Sequence, residues 1–217
     1  MKYIFSVEGN IGSGKSTLLK HLKERFVKII YLQEPIDTWN EIKDSMGVTI
    51  LEKYYQDQKK YSFSFQMMAF ITRLTLLKDT LEKSPEGTII LTERCLYTDR
   101  EIFAKMLYDA KLIEEIEYTI YLKWFDYFIK DCPITGIIYI RTTPDLCSNR
   151  VFERNRKGET IPLDYLAECH RYHEDWIKES SQKVLIVNDN ECYDTIYNFI
   201  KSSLNNSLKD CNSLKVE

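Results

Sequence analysis

The chain has 217 residues, 44% hydrophobic and 29% charged, a balance that excludes a disordered or fibrous protein and predicts a folded domain with a sizeable core. Thirty basic residues against thirty-three acidic leave a net charge of −3, so no global field draws in nucleic acid or an anionic membrane. Six widely spaced cysteines include no C-x-x-C pair, which predicts reduced thiols in an intracellular, cytoplasmic protein, and no apolar run approaches a membrane span.

The first apolar run, over 2–7, predicts a buried strand. It leads into Gly9, Asn10, Ile11, Gly12, Ser13, Gly14, Lys15, Ser16 and Thr17, which fit G-x-x-x-x-G-K-[ST], the phosphate-cradling P-loop. The chain starts at this strand, so no signal peptide or organelle presequence is expected. A helix over 15–26 follows, with Leu18, Leu19 and Leu22 on one face. Strand, glycine loop and helix in this order turn backbone N–H groups and a positive helix end toward a polyphosphate. Lys15 would reach the β and γ phosphates, and Ser16 would ligate Mg²⁺.

Further strands are predicted at 28–32, 88–92, 136–140 and 183–187, and helices at 58–83, 97–109, 113–130, 143–154, 163–180 and 193–206. Thr143-Pro144-Asp145 is a strong helix start, with Thr as N-cap and Pro in the first turn. The stretch 35–57 predicts short helices and loops over one edge of the site, and the Asn/Ser-rich tail 205–217 a flexible end. Near-continuous Val/Ile/Leu strands alternating with helices predict an α/β fold, a five-stranded parallel sheet covered on both faces, in one domain over 1–204.

Ligands of such a sheet bind beyond the carboxyl ends of its strands. Glu34 follows the second strand there and Glu93 the third. Phosphoryl transfer to an alcohol needs a carboxylate at the acceptor hydroxyl and an acid near Mg²⁺; each glutamate taken alone also fits a solvated loop charge. Arg150 and Arg154 share a helix face and Arg156 lies just beyond. They fit an arginine-rich lid closing over phosphates, or a solvated basic face. On the long helix, Gln66, Ala69 and Arg73 project similarly, with Phe65 beside them. Gln66 can bond a base edge and Phe65 can stack on a ring, but periodicity does not separate this from a core aromatic and a surface glutamine. His21, His170 and His173 lack metal-ligand spacing and are expected as surface or capping residues.

Together these segments resemble the deoxyribonucleoside kinase family, in its deoxycytidine/deoxyguanosine/insect-type branch, from about residue 2 to about residue 200. The carriers are the P-loop, Glu34-Pro35 with Trp39, Tyr61-Ser62-Phe63-Ser64-Phe65-Gln66, Glu93-Arg94-Cys95-Leu96-Tyr97-Thr98-Asp99-Arg100, Arg150 to Glu159, and Ile161-Pro162-Leu163-Asp164-Tyr165-Leu166. The resemblance implies a P-loop kinase-like fold, ATP or another NTP as donor, Mg²⁺, and a homodimer through helices flanking the sheet. It implies Glu34 as the base for the 5′-hydroxyl proton, Arg94 holding that base, and Glu93 as the acid near Mg²⁺. It also implies Gln66 on the nucleobase, Phe65 and Trp39 as pocket aromatics, and Tyr55 with Glu159 on the sugar 3′-hydroxyl. Arg150, Arg154 and Arg156 become lid arginines, and Tyr193 an aromatic against the donor base. This chain departs from the pattern in having one residue fewer between Glu159 and Ile161-Pro162, and in Gly12-Ser13 where animal enzymes carry another small pair.

The implied reaction is nucleoside 5′-phosphorylation, with a thymidine-preferring deoxynucleoside kinase, a thymidylate-type monophosphate kinase or a non-catalytic nucleotide-binding subunit as rivals on the same fold. An Arg at 73 and an Asp at 99, with small Ala69, go in the family with deoxycytidine and purine deoxynucleosides rather than thymidine. The Ile, Lys, Asn and Tyr content fits an AT-rich genome, viral ones among them.

Overall fold

The structure, a computed structural model, describes residues 1–156, 159–188 and 193–204. Its elements in chain order are β1 (Tyr3–Gly9), α1 (Lys15–Arg25), β2 (Ile29–Leu32), α2 (Ile36–Glu41), α3 (Ile50–Gln56), α4 (Gln58–Lys83), β3 (Ile89–Glu93), α5 (Leu96–Thr98), a π-helical turn (Asp99–Ala104), α6 (Lys105–Asp109), α7 (Glu115–Phe128), a 3₁₀ turn (Ile129–Asp131), β4 (Gly136–Ile140), α8 (Pro144–Arg154), α9 (Leu163–Glu179), β5 (Val184–Val187) and α10 (Tyr193–Ser203). The expected tail at 205–217, the end of the helix expected at 193–206, and Cys192 and Cys211 lie outside the described residues.

The five strands form one parallel sheet in the order β2-β3-β1-β4-β5. The order reverses at β1, and the chain leaves β1 into the P-loop between the ends of β3 and β4: Val7 pairs with Glu93 and Gly9 with Ile140. The reversal opens a crevice at the carboxyl edge of the sheet.

Alternation along the strands sends successive side chains to opposite faces. Phe5 and Val7 pack with Leu19 and Leu22 of α1 and Ile196 and Ile200 of α10. Ile4 and Ile90 pack on the other side with Phe70, Leu74 and Leu77 of α4 and Tyr121 and Phe125 of α7. Phe70 is wholly buried, so its truncation to Ala would cost about 3–5 kcal/mol. Coverage is incomplete at the sheet edges, where three of the four residues of β2 and of β5 keep some exposure; an edge strand has a neighbour on one side only.

Local sequence explains most boundaries. Thr49 and Glu52 form a reciprocal capping box that starts α3, and Asp57 accepts from Lys60 N to start α4. Thr143 caps α8 with Pro144 in its first turn, and Asn155 closes it in the left-handed region. The helix expected over 97–109 is not one regular α-helix: the π turn interrupts it. Such irregular turns recur at functional sites, and this one carries Asp99 and Phe103 toward the crevice. Among the described residues no helix is long and apolar enough to cross a membrane.

Candidate active site

A cavity of about 790 Å³ opens at the carboxyl ends of the strands. Residues Ile11 to Thr17 of the P-loop and α1 form one wall, while Gly9 and Asn10 lie behind it. Gly9 has φ +145, and a Cβ there would come within 2.7 Å of Ile140 O; a Cβ on Gly12, at φ +81, would meet Cys147 O at 2.6 Å. Only glycine lets the loop pass this close to β4 and α8. The Asn10 side chain turns away from the cavity: its Nδ2 donates to Leu166 O at 2.8 Å, tying the loop to α9. Lys15 is buried, and its Nζ donates to Asn10 O at 2.7 Å and to Gly9 O at 3.2 Å. Burial, and then the nearby charge of Arg94, bring its pKa down to about 8.

Ser16 and Glu93 meet at the mouth of the loop, Ser16 Oγ donating to Glu93 Oε1 at 2.7 Å. A hydroxyl and one carboxylate are the hard oxygen donors that suit Mg²⁺, which takes its remaining ligands from phosphates and water. No group of three or more His, Cys, Asp or Glu that could hold a metal occurs among the described residues.

The centre of the cavity is an acid–arginine network. Arg73 of α4 donates from Nη2 to Glu34 Oε1 at 2.9 Å, from Nε to Asp99 Oδ2 at 2.9 Å, and from Nη1 to Glu93 O at 2.8 Å. Arg94 Nε lies 3.4 Å from the same Glu34 oxygen. Burial would raise the pKa of Glu34, but Arg73, Arg94 and Lys15 outweigh it and hold the carboxyl below its usual range. Burial carries Asp99 up to about 6 against the pull of Arg73. Arg94 itself occupies the left-handed region at φ +64, an unfavourable conformation for a residue with a Cβ. Its backbone N–H is held by Val7 O at 3.0 Å.

Beyond this network lies an aromatic pocket. Phe65 is stacked on Tyr54 at 4.5 Å and meets Trp39 edge-on at 5.5 Å, and Trp39 Nε1 donates to Thr72 Oγ1. Gln66 is buried on the same wall, so it is not the surface glutamine that periodicity left open. Ala69 and Tyr55 complete the wall.

Glu159 also lines the cavity, where Arg154 Nη2 reaches its Oε2 at 2.6 Å and Arg156 Nη1 its Oε1 at 3.7 Å. Burial, and then Glu159, push the Tyr55 pKa up. Arg150 Nη1 donates to Ser13 O at 3.3 Å. The structure thus brings every expected site residue except Gly9 and Asn10 to the cavity wall.

Two histidines depart from expectation. His173 is fully buried on α9 rather than at the surface, because α9 lays Leu166, Cys169 and His173 on one inward face. His21 lines the cavity, its Nδ1 2.8 Å from the hydroxyl of Tyr193, and Arg25 covers the Tyr193 ring at 4.3 Å. Tyr54 and Phe103, which no sequence pattern singles out, also face the cavity, as does Tyr165, a carrier of the family resemblance to which the pattern assigns no role. Tyr54 adjoins Tyr55 and shares a hydroxyl contact of 2.9 Å with Tyr165. The spacing of 165, 166, 169 and 173 along α9 was the available signal for that helix.

A phosphate loop, a hydroxyl–carboxylate pair and a carboxylate held by arginines, facing one another at a sheet's switch point, define a P-loop phosphotransferase. A model of the deoxynucleoside kinase family matches residues 5–210. The chain is 39% identical over 181 residues to a probable deoxycytidine kinase of fowlpox virus, covering 82% of this chain and 72% of that protein. It is 36% identical over 192 residues to deoxycytidine kinase 1 of Xenopus laevis (79% and 72%), and 33% identical over 198 residues to human deoxycytidine kinase (82% and 76%). The chain belongs to the deoxynucleoside kinase family, and its activity is that of a phosphotransferase acting on deoxynucleosides.

Proposed function

We propose that this kinase transfers the γ-phosphoryl group of ATP or another NTP to the 5′-hydroxyl of deoxycytidine, deoxyadenosine or deoxyguanosine in preference to thymidine. The bridge from Arg73 to both Glu34 and Asp99 carries the reading. Paired with Arg73, Asp99 presents an acceptor to an exocyclic amine, which cytosine and adenine have and thymine lacks. Gln66 offers donor and acceptor to the same edge, and Ala69 leaves room at the ring. The fowlpox, Xenopus laevis and human relatives described above are a probable deoxycytidine kinase and two deoxycytidine kinases; a mitochondrial deoxyguanosine kinase of Xenopus laevis is 34% identical over 202 residues.

In the reaction, Glu34 takes the 5′-hydroxyl proton as the oxygen attacks the γ-phosphorus. The bond from that phosphorus to the β,γ-bridging oxygen breaks, and the nucleoside diphosphate leaves. Lys15 and the lid arginines Arg150, Arg154 and Arg156 compensate charge on the migrating group. Tyr55 and Glu159 hold the sugar 3′-hydroxyl, Phe65 and Trp39 confine the base, and Tyr193 flanks the donor base. Mg²⁺ would be held by Ser16 and Glu93 and would neutralise charge between the donor phosphates. An acceptor already phosphorylated would bring its anion to Glu34, and this disfavours a thymidylate-type kinase.

The kinase acts as a homodimer in the cytoplasm on this reading. Ile116, Ile120, Trp124 and Tyr127 form an exposed apolar stripe along α7 of the kind that a second copy covers. Among the described residues Cys95, Cys132 and Cys169 are buried free thiols. Release of ADP measured with the four deoxynucleosides and dTMP tests the assignment; the best rate with thymidine or dTMP would overturn it.

A further inference from the structure

His173 lies behind the acid–arginine network and takes no part in the reaction as described. Its Nδ1 is 2.6 Å from Cys169 O. A carbonyl only accepts, so Nδ1 carries the proton and Nε2 presents a lone pair. That nitrogen is 3.5 Å from Arg94 Nη1. The ring is stacked on Tyr139 at 6.0 Å with an interplanar angle of 11°, which fixes its plane. Arg94 is thereby held on three sides: Nε faces Glu34, Nη1 faces His173, and the guanidinium lies over the Phe103 ring at 4.8 Å.

We propose that His173 is a positioning residue for phosphoryl transfer, its Nε2 lone pair orienting the Arg94 guanidinium so that Arg94 Nε stays on Glu34. The inference rests on the reading of Glu34 as the base. The charged and titratable neighbours suit it. Burial, then Arg94, with smaller contributions from Lys15 and His170, hold the imidazole well below its usual pKa, so it remains an acceptor at working pH. A protonated ring would instead set a second cation against Arg94.

The test compares wild type with His173→Phe, which keeps an aromatic ring but removes the acceptor, and with His173→Gln, whose amide oxygen restores one at similar reach. The readouts are kcat, both KM values, the acid limb of the kcat/KM profile against pH, and Tm. His173→Phe is expected to lower kcat about 10- to 100-fold, the usual effect of removing an orienting partner, with the nucleoside KM little changed. Its acid limb should move to higher pH, because a displaced Arg94 leaves only Arg73 and Lys15 to hold the Glu34 pKa down, and His173→Gln should recover most of both effects. In an Arg94→Lys background the histidine change should add little.

An unchanged kcat and acid limb in His173→Phe would overturn the inference, as would equal losses in both variants that track Tm. If His173→Phe does not fold, His173→Asn, which keeps the contact to Cys169 but falls short of Arg94, takes its place with the same expected outcomes. A wild type inactive on every deoxynucleoside overturns the functional reading and this inference together; an active wild type with an unaffected variant overturns this inference alone.

Discussion

Arg73 Nε and Asp99 Oδ2 lie 2.9 Å apart with both side chains almost wholly buried. Breaking a buried pair from one side strands a charge, so the informative change removes both. Arg73→Met/Asp99→Ala should raise the thymidine share of kcat/KM. Unmet hydrogen-bond capacity worth about 1–3 kcal/mol separates thymine from the amino-bearing bases in wild type. The check is kcat/KM for all four deoxynucleosides on both proteins; no gain in relative thymidine activity would remove this pair from base selection.

Glu34→Gln keeps the shape of the side chain and loses its proton affinity. It should lower kcat by roughly 10²–10⁴ and leave the nucleoside KM nearly unchanged. Near wild-type turnover would mean that another group takes the proton.

Lys15 supplies a pH signature. With a folded pKa of about 8 against the ordinary 10.5, the unfolded chain binds the extra proton between those values. Stability should therefore rise with pH across that window. In the free enzyme kcat/KM should fall above about pH 8 as Lys15 loses its charge, while kcat should hold to higher pH because bound phosphates favour the charged form. Lys15→Ala should abolish most activity without lowering Tm. Flat profiles to pH 10, or a Tm that falls with the activity, would assign Lys15 a structural part instead.

Arg154 holds Glu159 at 2.6 Å, so on the function proposed above the lid and the sugar pocket would share a contact. Arg154→Ala should act chiefly on kcat, because closure completes the charge around the transferring group. A change confined to the nucleoside KM would place this arginine with the acceptor alone.

The stripe on α7 gives a prediction independent of catalysis. Trp124→Asp with Ile120→Asp should yield monomers by light scattering. A wild type that is already monomeric would end the dimer reading.

Much of this site was readable in the chain because its signals are local. The P-loop needs glycines at fixed offsets, and Thr143-Pro144 announces a helix by its own chemistry. The near-continuous apolar strands announce a parallel sheet for the same reason. His173 was not readable: whether it faces water or Arg94 depends on how α9 packs against β4 and the π turn, contacts remote in sequence. The π turn at Asp99–Ala104 was equally hidden, since its residues favour no period that separates it from an α-helix. Gln66 stood between two readings because helical spacing gives a direction but not a neighbour.

At Arg94 the backbone and the side chain ask for different amino acids. A φ of +64 is most readily occupied by glycine or asparagine, yet the fork reaching Glu34 and His173 belongs to arginine alone. Glycine would relax the main chain and delete the fork; lysine would keep a charge and the strain but lose the geometry. Substitutions that ease the chain at this position are therefore those that empty the reaction centre, and improvement of the fold and retention of turnover run in opposite directions there. A stabilising consensus or random library screened only for thermal resistance should drift away from arginine at this one codon, and one screened for turnover should not.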